Sequence, residues 1–450
     1  MAMGKRRRQT QESLFIATDR LPKAAGHPFY QRLNLLLAEA GFDTWIEGRC
    51  REHYAADGSA GRPSIPPGVY FRMLLVGYFE GIDSQRGIAW RCADSLSLRD
   101  FLGLALDETS PDHSTLTNTR KRLAPEVFDE VFQFVLKIAD EKGLIAGKTV
   151  GVDSTTLEAN AAMKSIVRRD TGEDWKEYVT RLMKEEGVIE PAAEPTDEEV
   201  RRYDRSRKDK KASNREWVSS TDPASRIARM KDGRTHLAYK AEHVVDLKSD
   251  LVLAAEIYEA DRGDAETMVD SVLEAVINLS EAGSKAGIDE VAADKGYHAA
   301  ATLEMAEFYS LRTYIPEPKR KHESRWTDKP ADFQRCVYNN RRRVRRDKSK
   351  ALQRLRSERC ERTFAHICET GGMRRSWLRG LSDVTKRYRL AAAAHNLGRI
   401  LWKLLGVGKP RALQGGLGHS ALAHLVMTLL LTTLARLSAP HPPRRFARAA

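Results

Sequence analysis

KTVGVDSTT (148–156) is where the period of the chain changes. Upstream, the apolar residues recur with the spacing of helices. Here Val150 and Val152 alternate with small or polar neighbours, the two-residue period of a strand. Working outward, THLAYKAEHVVDLKSDLVLAAEIYEA (235–260) reads as two strands joined around Lys248-Ser249-Asp250, a hairpin. Residues 264–281 form an amphipathic helix, GIDEVAAD (287–294) a short buried strand, 299–309 a helix and RTYIP (312–316) a last short strand. A helix through 351–368 and helices from 382 to 405 follow. Strands interleaved with helices in this order predict an α/β core, a sheet flanked by helices.

On the N-terminal side the pattern is helical from His27 to about Lys142. FYQRLNLLLAEAGF and VYFRMLLVGYFEGI place apolar residues at i, i+3, i+4 and i+7, with Pro66-Pro67 starting the second and Gly81 closing it. In SPDHSTLTNTRKRL, Ser110 or Asp112 can cap a short helix whose exposed side carries Arg120, Lys121 and Arg122. Several short helices ending in a basic one suit a helix-turn-helix-like DNA reader, and suit a plain bundle with a charged face equally well. The expected organisation is a basic arm (1–26), a helical DNA-binding domain (27–145), a catalytic domain (146–405) and a tail (406–450). Two polar insertions, 163–234 and 317–350, interrupt the catalytic domain, the first with some helix and disorder.

Composition narrows the class of function. Lys and Arg outnumber Asp and Glu 75 to 62, a formal charge of +13, which points to a polyanionic partner. The five cysteines (Cys50, Cys92, Cys336, Cys360, Cys368) form no CxxC pair, so neither a zinc ribbon nor a disulfide framework is expected. MAMGKRRRQT has no apolar stretch behind it and does not read as a signal peptide. ALAHLVMTLLLTTLARL (421–437) is 17 residues long with His424 and three threonines inside, so a packing or dimerising helix is expected rather than a membrane anchor. A cytoplasmic, nucleoid-associated protein is the expectation.

Against this basic background three acids stand at element ends: Asp153, Asp294, and one glutamate of RSERCERTFAH (356–366). Carboxylates at strand ends suit hard divalent ions, and two such ions suit in-line phosphoryl displacement, with arginines around them holding the phosphates. At ~100° per residue, Leu352, Cys360, Phe364 and Ile367 share one side of the helix. Glu361 falls at the edge of that stripe and Glu358 further round, so Glu361 is the expected ligand. Each acid also has a plain structural reading: Asp153 as a turn acceptor, Asp294 as a helix cap, Glu361 as an arginine partner. Rival acids are Asp222, Asp246 and Asp264, the last expected to cap its helix and Asp222 to sit in a turn.

These stretches together resemble the DDE transposases of bacterial insertion sequences, the group with an InsH-type helical N-terminal domain and an IS-four-like catalytic domain. The similarity is carried by HPFYQRLNLLL with PPGVYFRMLLVGYFEGI, VGVDSTTLEANA, TDPASRIARMKDGRTHLAYKAEHVVD, ADKGYH, ERCERTFAHICETGGMRRSWLRGL and AAAAHNLGRIL, in order over most of 27–405. The resemblance implies a ribonuclease-H-like core, two Mg²⁺ ions (Mn²⁺ substituting), and Asp153, Asp294 and Glu361 as catalytic and metal-binding triad. It also implies binding of double-stranded DNA at terminal inverted repeats, then strand cleavage and 3′-OH strand transfer to target DNA by a homodimer. Cys368 stands where many relatives have lysine, and Ser357 where arginine is usual.

Lys295, Arg356, Arg362, His366, Arg374, Arg375 and Arg379 join Arg120, Lys121 and Arg122 as candidate DNA contacts, which position the backbone without reading sequence. Trp326 could stack on an unpaired base. Two other functions remain open on the sequence: a nuclease of the same fold that only cuts, and an inactive DNA-binding repressor of an element.

Overall fold

The computed structural model describes residues 26–54, 64–208, 212–230, 233–319 and 326–413. Nearly all of the expected basic arm, and the apolar stretch 421–437, lie outside these residues. Seven α-helices come first among them: α1 (Pro28–Glu39), α2 (Phe42–Cys50), α3 (Pro67–Glu80), α4 (Gln85–Asp94), α5 (Leu96–Leu102), α6 (His113–Arg122) and α7 (Pro125–Glu141). Their ends follow local chemistry. Pro67 opens α3, and Gly81, at φ +69°, closes it. Of the two candidate caps of α6 it is Asp112 that serves, accepting the Ser114 N–H at 2.8 Å.

The rest of the chain forms β1 (Thr149–Glu158), β2 (Ile166–Arg168), α8 (Trp175–Glu185), α9 (Asp197–Ser206), β3 (Trp217–Ser219), β4 (Arg226–Arg229), β5 (Thr235–Asp246) and β6 (Val252–Glu259). Then come α10 (Asp264–Glu281), β7 (Glu290–Ala292), α11 (Ala300–Phe308), β8 (Arg312–Tyr314), α12 (Ala331–Val344), α13 (Asp347–Phe364) and α14 (Leu381–Leu405). The predicted α/β core is thus present, with a mixed sheet. β1 lies at its centre, antiparallel to β5 and parallel to β7; β6 pairs antiparallel outside β5, and β8 parallel outside β7. β4 extends the sheet along the first residues of β5.

Helices cover both faces. On one, α10 places Ser271 and Thr267 against β5. On the other lie α13 and α14: Thr363 and Tyr388 bracket His243 of β5 at 2.9 and 2.8 Å. α14 also clamps the β6 edge, where the Asn396 amide makes both bonds to the Val252 backbone (2.9 and 2.8 Å). The run Ala391–Ala394 is buried, and its small side chains let α14 pack between β6 and α7. α7 fills its side with Val127, Phe128, Val131, Phe132 and Val135, all buried at helical spacing.

Two expectations need correction. The first insertion is built rather than disordered over its described residues. β2 pairs with β3, and α8 and α9 pack around Val179, Met183 and Val200. Both helices begin with reciprocal capping boxes, Asp174 with Glu177 and Thr196 with Glu199. Its charge density hides a very small apolar cluster. In the second insertion, α12 carries the basic run 341–346 into the helix end and uses it locally. Arg341 binds Glu317 at 2.9 and 3.0 Å, and Arg343 binds the Thr313 carbonyl at 2.9 Å. The helix predicted over 351–368 is regular only to Phe364 and then widens into a π-helical turn over 365–370.

Candidate active site

Gly151 fixes how close α13 comes to β1. A Cβ there would stand 2.7 Å from Leu247 Cδ2, 3.0 Å from Arg356 Cγ and 3.2 Å from Cys360 Sγ. Only a bare Cα lets the helix lie down on the strand. The contact delivers Arg356 to Asp153, Nη1 to Oδ2 at 2.8 Å, while Asp153 Oδ1 accepts the Ser154 N–H at 2.9 Å. Burial pushes the Asp153 carboxyl above its ordinary range. Arg356 and the Ser154 amide oppose that shift, and the nearby charges of Asp294 and Asp264 add to it.

Asp294 follows β7, and its Oδ1 accepts the Gly296 N–H at 2.7 Å, opening the short turn Lys295–Tyr297. The capping role is therefore real. A Cβ on Gly296 would meet Asp294 Oδ1 at 3.0 Å and Asp264 Oδ2 at 3.1 Å, so these two carboxylates lie within about 6 Å of each other. Asp153, Asp264 and Asp294 thus lie near one another, but Asp153 does not close its strand as expected: β1 runs on to Glu158 because β5 pairs with it past the point where β7 stops, and Asp264 opens α10.

Glu361 and Glu358 are both exposed, so burial does not separate them. Their partners do. Glu358 is ion-paired to Arg362, which with Arg359 and Arg399 also binds Oδ2 of buried Asp250. Among the described residues, Glu361 accepts the Ser357 hydroxyl, at 2.8 Å, and no arginine or lysine is paired with it. Asp153 and Glu361 both act on the buried thiol of Cys360, which burial chiefly pushes up. The structure brings Asp153 and Asp294 together but gives Glu361 no contact with either. Among the described residues no three His, Cys, Asp or Glu side chains stand close enough to hold one ion.

The candidate DNA contacts divide. Lys295 is exposed beside Asp294. Arg375 is exposed, 4.9 Å over the Trp377 ring, and Arg379 is exposed with Nε on the Asn160 carbonyl at 3.2 Å. Lys121 is exposed, as is Arg122, which stacks 4.7 Å over Tyr54. Others turn inward. Arg374 braces β1 through Thr155 Oγ1 (3.0 Å) and the Thr156 carbonyl (3.2 Å). Arg120 does not lie on the exposed side of α6: it is 11% exposed, paired with Asp383 of α14 at 3.3 Å. His366 is half-buried, its pKa lowered to about 4 by burial and then by Lys409, Arg399 and Arg362. Trp326 packs against the core.

Of the rival acids, Asp222 is fully buried and accepts the Tyr239 hydroxyl and the Gly380 N–H (3.1 Å), and Asp246 accepts the amides of Ala146 and Gly147. Both are structural. Asp264 is more than a helix start: Oδ1 holds Ser154 Oγ and Lys240 Nζ, each at 2.8 Å. Beside it opens a trough of about 560 Å³ lined by Ser154, Thr156, Arg229, Lys240, Arg262 and Asp264. Cys368, at the position where lysine was noted as usual, is buried against Tyr388. In an unbroken α-helix seven residues return almost to the same face; the wider π turn carries Cys368 inward instead.

With this geometry in place, comparison with known families identifies the class. A family described as Transposase domain (DUF772) matches residues 18–122, and one described as Transposase DDE domain matches residues 317–401, which include α13 and Glu361. The protein is a metal-dependent enzyme of phosphoryl transfer on DNA. More narrowly, the two matches, which together span less than half of the chain, support an insertion-sequence DDE transposase. No curated protein and no solved structure matches it. Among the described residues no helix is long and apolar enough to cross a membrane.

Proposed function

We propose that this transposase binds the terminal repeats of its own element, cuts the DNA there and joins the freed 3′-OH to target DNA, using Asp153, Asp294 and Glu361. The observation that carries this is that Asp153, in mid-β1, and Asp294 each lie just past the last parallel pair of β1 with β7, Gly151 with Ala292, beneath the helix that bears Glu361. The strand order β6-β5-β1-β7-β8, with only β5 reversed within the central three, supports a ribonuclease-H-like core.

The donor set suits a divalent ion. Its oxygens are hard carboxylates, and burial, with a smaller push from the charges of Asp294 and Asp264, raises the Asp153 pKa, so a cation there would favour the ionised form. Asp153 and Asp294, with Glu361 turned from Ser357, would hold magnesium, or manganese in its place. Two such ions supply charge stabilisation at the attacking and leaving oxygens when bound. The chain's own part is to orient. β1 and the turn after β7 fix the two aspartates, while exposed Lys295, Arg375 and Arg379 and the trough arginines hold the phosphodiester backbone. Water opens the phosphodiester at the element end, releasing a 3′-OH, and that hydroxyl displaces a 3′-oxygen in target DNA. No protein–DNA bond forms. Two ends must be brought together, which supports a dimer acting on cytoplasmic, nucleoid DNA.

Asp153→Ala, Asp294→Ala and Glu361→Ala should each abolish Mg²⁺-dependent nicking of a duplex carrying the element ends while end binding in mobility-shift assays persists. Glu358→Ala should nick within a few-fold of the parent. Loss of binding in the three alanine variants, or retained nicking, overturns the assignment. Nicking without strand transfer would make the protein a nuclease only, and binding without nicking a repressor.

A further inference from the structure

On the α10 face of the sheet lies a buried ionic network that the proposed reaction does not call on. Glu242 of β5 is fully buried and accepts Ser271 Oγ at 2.6 Å, Thr267 Oγ1 at 3.0 Å and the Tyr297 hydroxyl at 2.9 Å. Lys240, two residues back on the same face and itself buried, stands 3.4 Å from Glu242. It donates to Thr267 Oγ1 and binds Asp264 Oδ1, both at 2.8 Å. That same Asp264 oxygen accepts the Ser154 hydroxyl.

Each end of the network meets a neighbour of a candidate catalytic aspartate. Ser154 follows Asp153 on β1 and lies opposite Glu242 in the sheet register. Tyr297 ends the turn that the Asp294 carboxylate opens. An apolar pair at 240 and 242 would cover α10 without the desolvation cost of a buried lysine and a buried carboxylate. The alternation of Lys240 and Glu242 on one face, with every oxygen of Glu242 occupied, is organised around fixing those two neighbours.

We propose that Lys240, Glu242 and Asp264 are positioning residues that set the separation and orientation of the Asp153 and Asp294 carboxylates through Ser154 and Tyr297. The inference rests on the reading of those aspartates as catalytic. Lys240 and Glu242 are buried, and Asp264 is linked to the neighbour of Asp153 through the Ser154 hydroxyl. Their effect is on how tightly the carboxylate pair takes a cation and how well it is aligned for the reaction.

The test uses the full chain with Lys240→Met and Glu242→Gln together, which removes both buried charges and keeps an acceptor for the hydroxyls. The expected result is a folded protein that binds element-end duplex as the parent does. Its affinity for Mn²⁺, read by electron paramagnetic resonance, should fall roughly 10–100-fold, as for other outer-shell changes, with nicking reduced at saturating Mn²⁺. Parental Mn²⁺ affinity and nicking overturn the inference. Should the double variant fail to fold, Ser154→Ala with Tyr297→Phe cuts both links and removes no charge, and the same two outcomes decide. Asp153→Asn is the control. If it nicks like the parent, the reading of the aspartates fails; if it is dead while the network variants behave as the parent, only the network falls.

Discussion

Arg356 occupies the position that matters most around Asp153. Expected to grip a DNA phosphate, it is 12% exposed and spends its guanidinium on a carboxylate that is 22% exposed. Removing one partner of such a pair leaves a poorly solvated charge behind. Arg356→Met should lower stability by about 3 kcal/mol, read as a drop in the urea midpoint. Mg²⁺ should then restore more stability to the variant than it adds to the parent, because cation and guanidinium neutralise the same oxygen atoms. Equal stabilisation of both proteins would show that they do not. At this scale the sequence was legible in Asp294, just past the end of β7, and only in part in Asp153, which was expected to close its strand but lies mid-β1, where only the pairing with β7 has ended. Lys240 and Glu242 were illegible for a physical reason. In THLAYKAEHVVD their alternation with Tyr239, Ala241 and His243 resembles a solvent-facing edge, yet helices cover both faces of β5 and bury both residues.

Among the elements, the seat of α13 on β1 is set by a missing side chain. Gly151→Ala forces a methyl against Arg356 Cγ, Cys360 Sγ and Leu247 Cδ2. Overpacking of this kind costs about 1–3 kcal/mol, and lifting the helix should slow nicking more than it weakens end binding; equal losses would argue that the contact is only structural. Across the same interface His243 is fully buried and stacked on Phe364, with burial holding its pKa at about 3. The folded value lies below the unfolded 6.5, so the folded state is favoured above that pH and loses ground as pH falls toward 3. Each unit within that window costs up to about 1.4 kcal/mol. Urea midpoints measured from pH 7 to 4.5 should fall, and His243→Gln should flatten the slope. The strand β1 was readable from Val150 and Val152 alone. β4 was not, because RIAR (226–229) shows no buried face and owes its extension to pairing with β5.

For the whole molecule, α14 joins the helical half to the sheet. Arg389 reaches Asp129 of α7 as well as Glu256 of β6 (2.7 Å), and Arg120 of α6 meets Asp383. Two halves sharing one buried helix should unfold together. Calorimetry of the full chain should show a single transition, and a chain ending before Leu381 should lose the cooperative melting of both halves. Two separate transitions would make α14 a dispensable strap. The order of elements predicted this architecture, but no local pattern says that the last helix is common property; that follows from packing between residues more than two hundred positions apart.

The π turn after Glu361 has a consequence for comparing this protein with its kin. An extra residue in the coil shifts the phase of everything downstream, so counting positions from the glutamate assigns the wrong side chain to the solvent. A cation grafted at 368 would be entombed beside Tyr388, while the outward azimuth now belongs to its neighbours. Any lost grip on the substrate must therefore be sought by direction in space rather than by distance along the text.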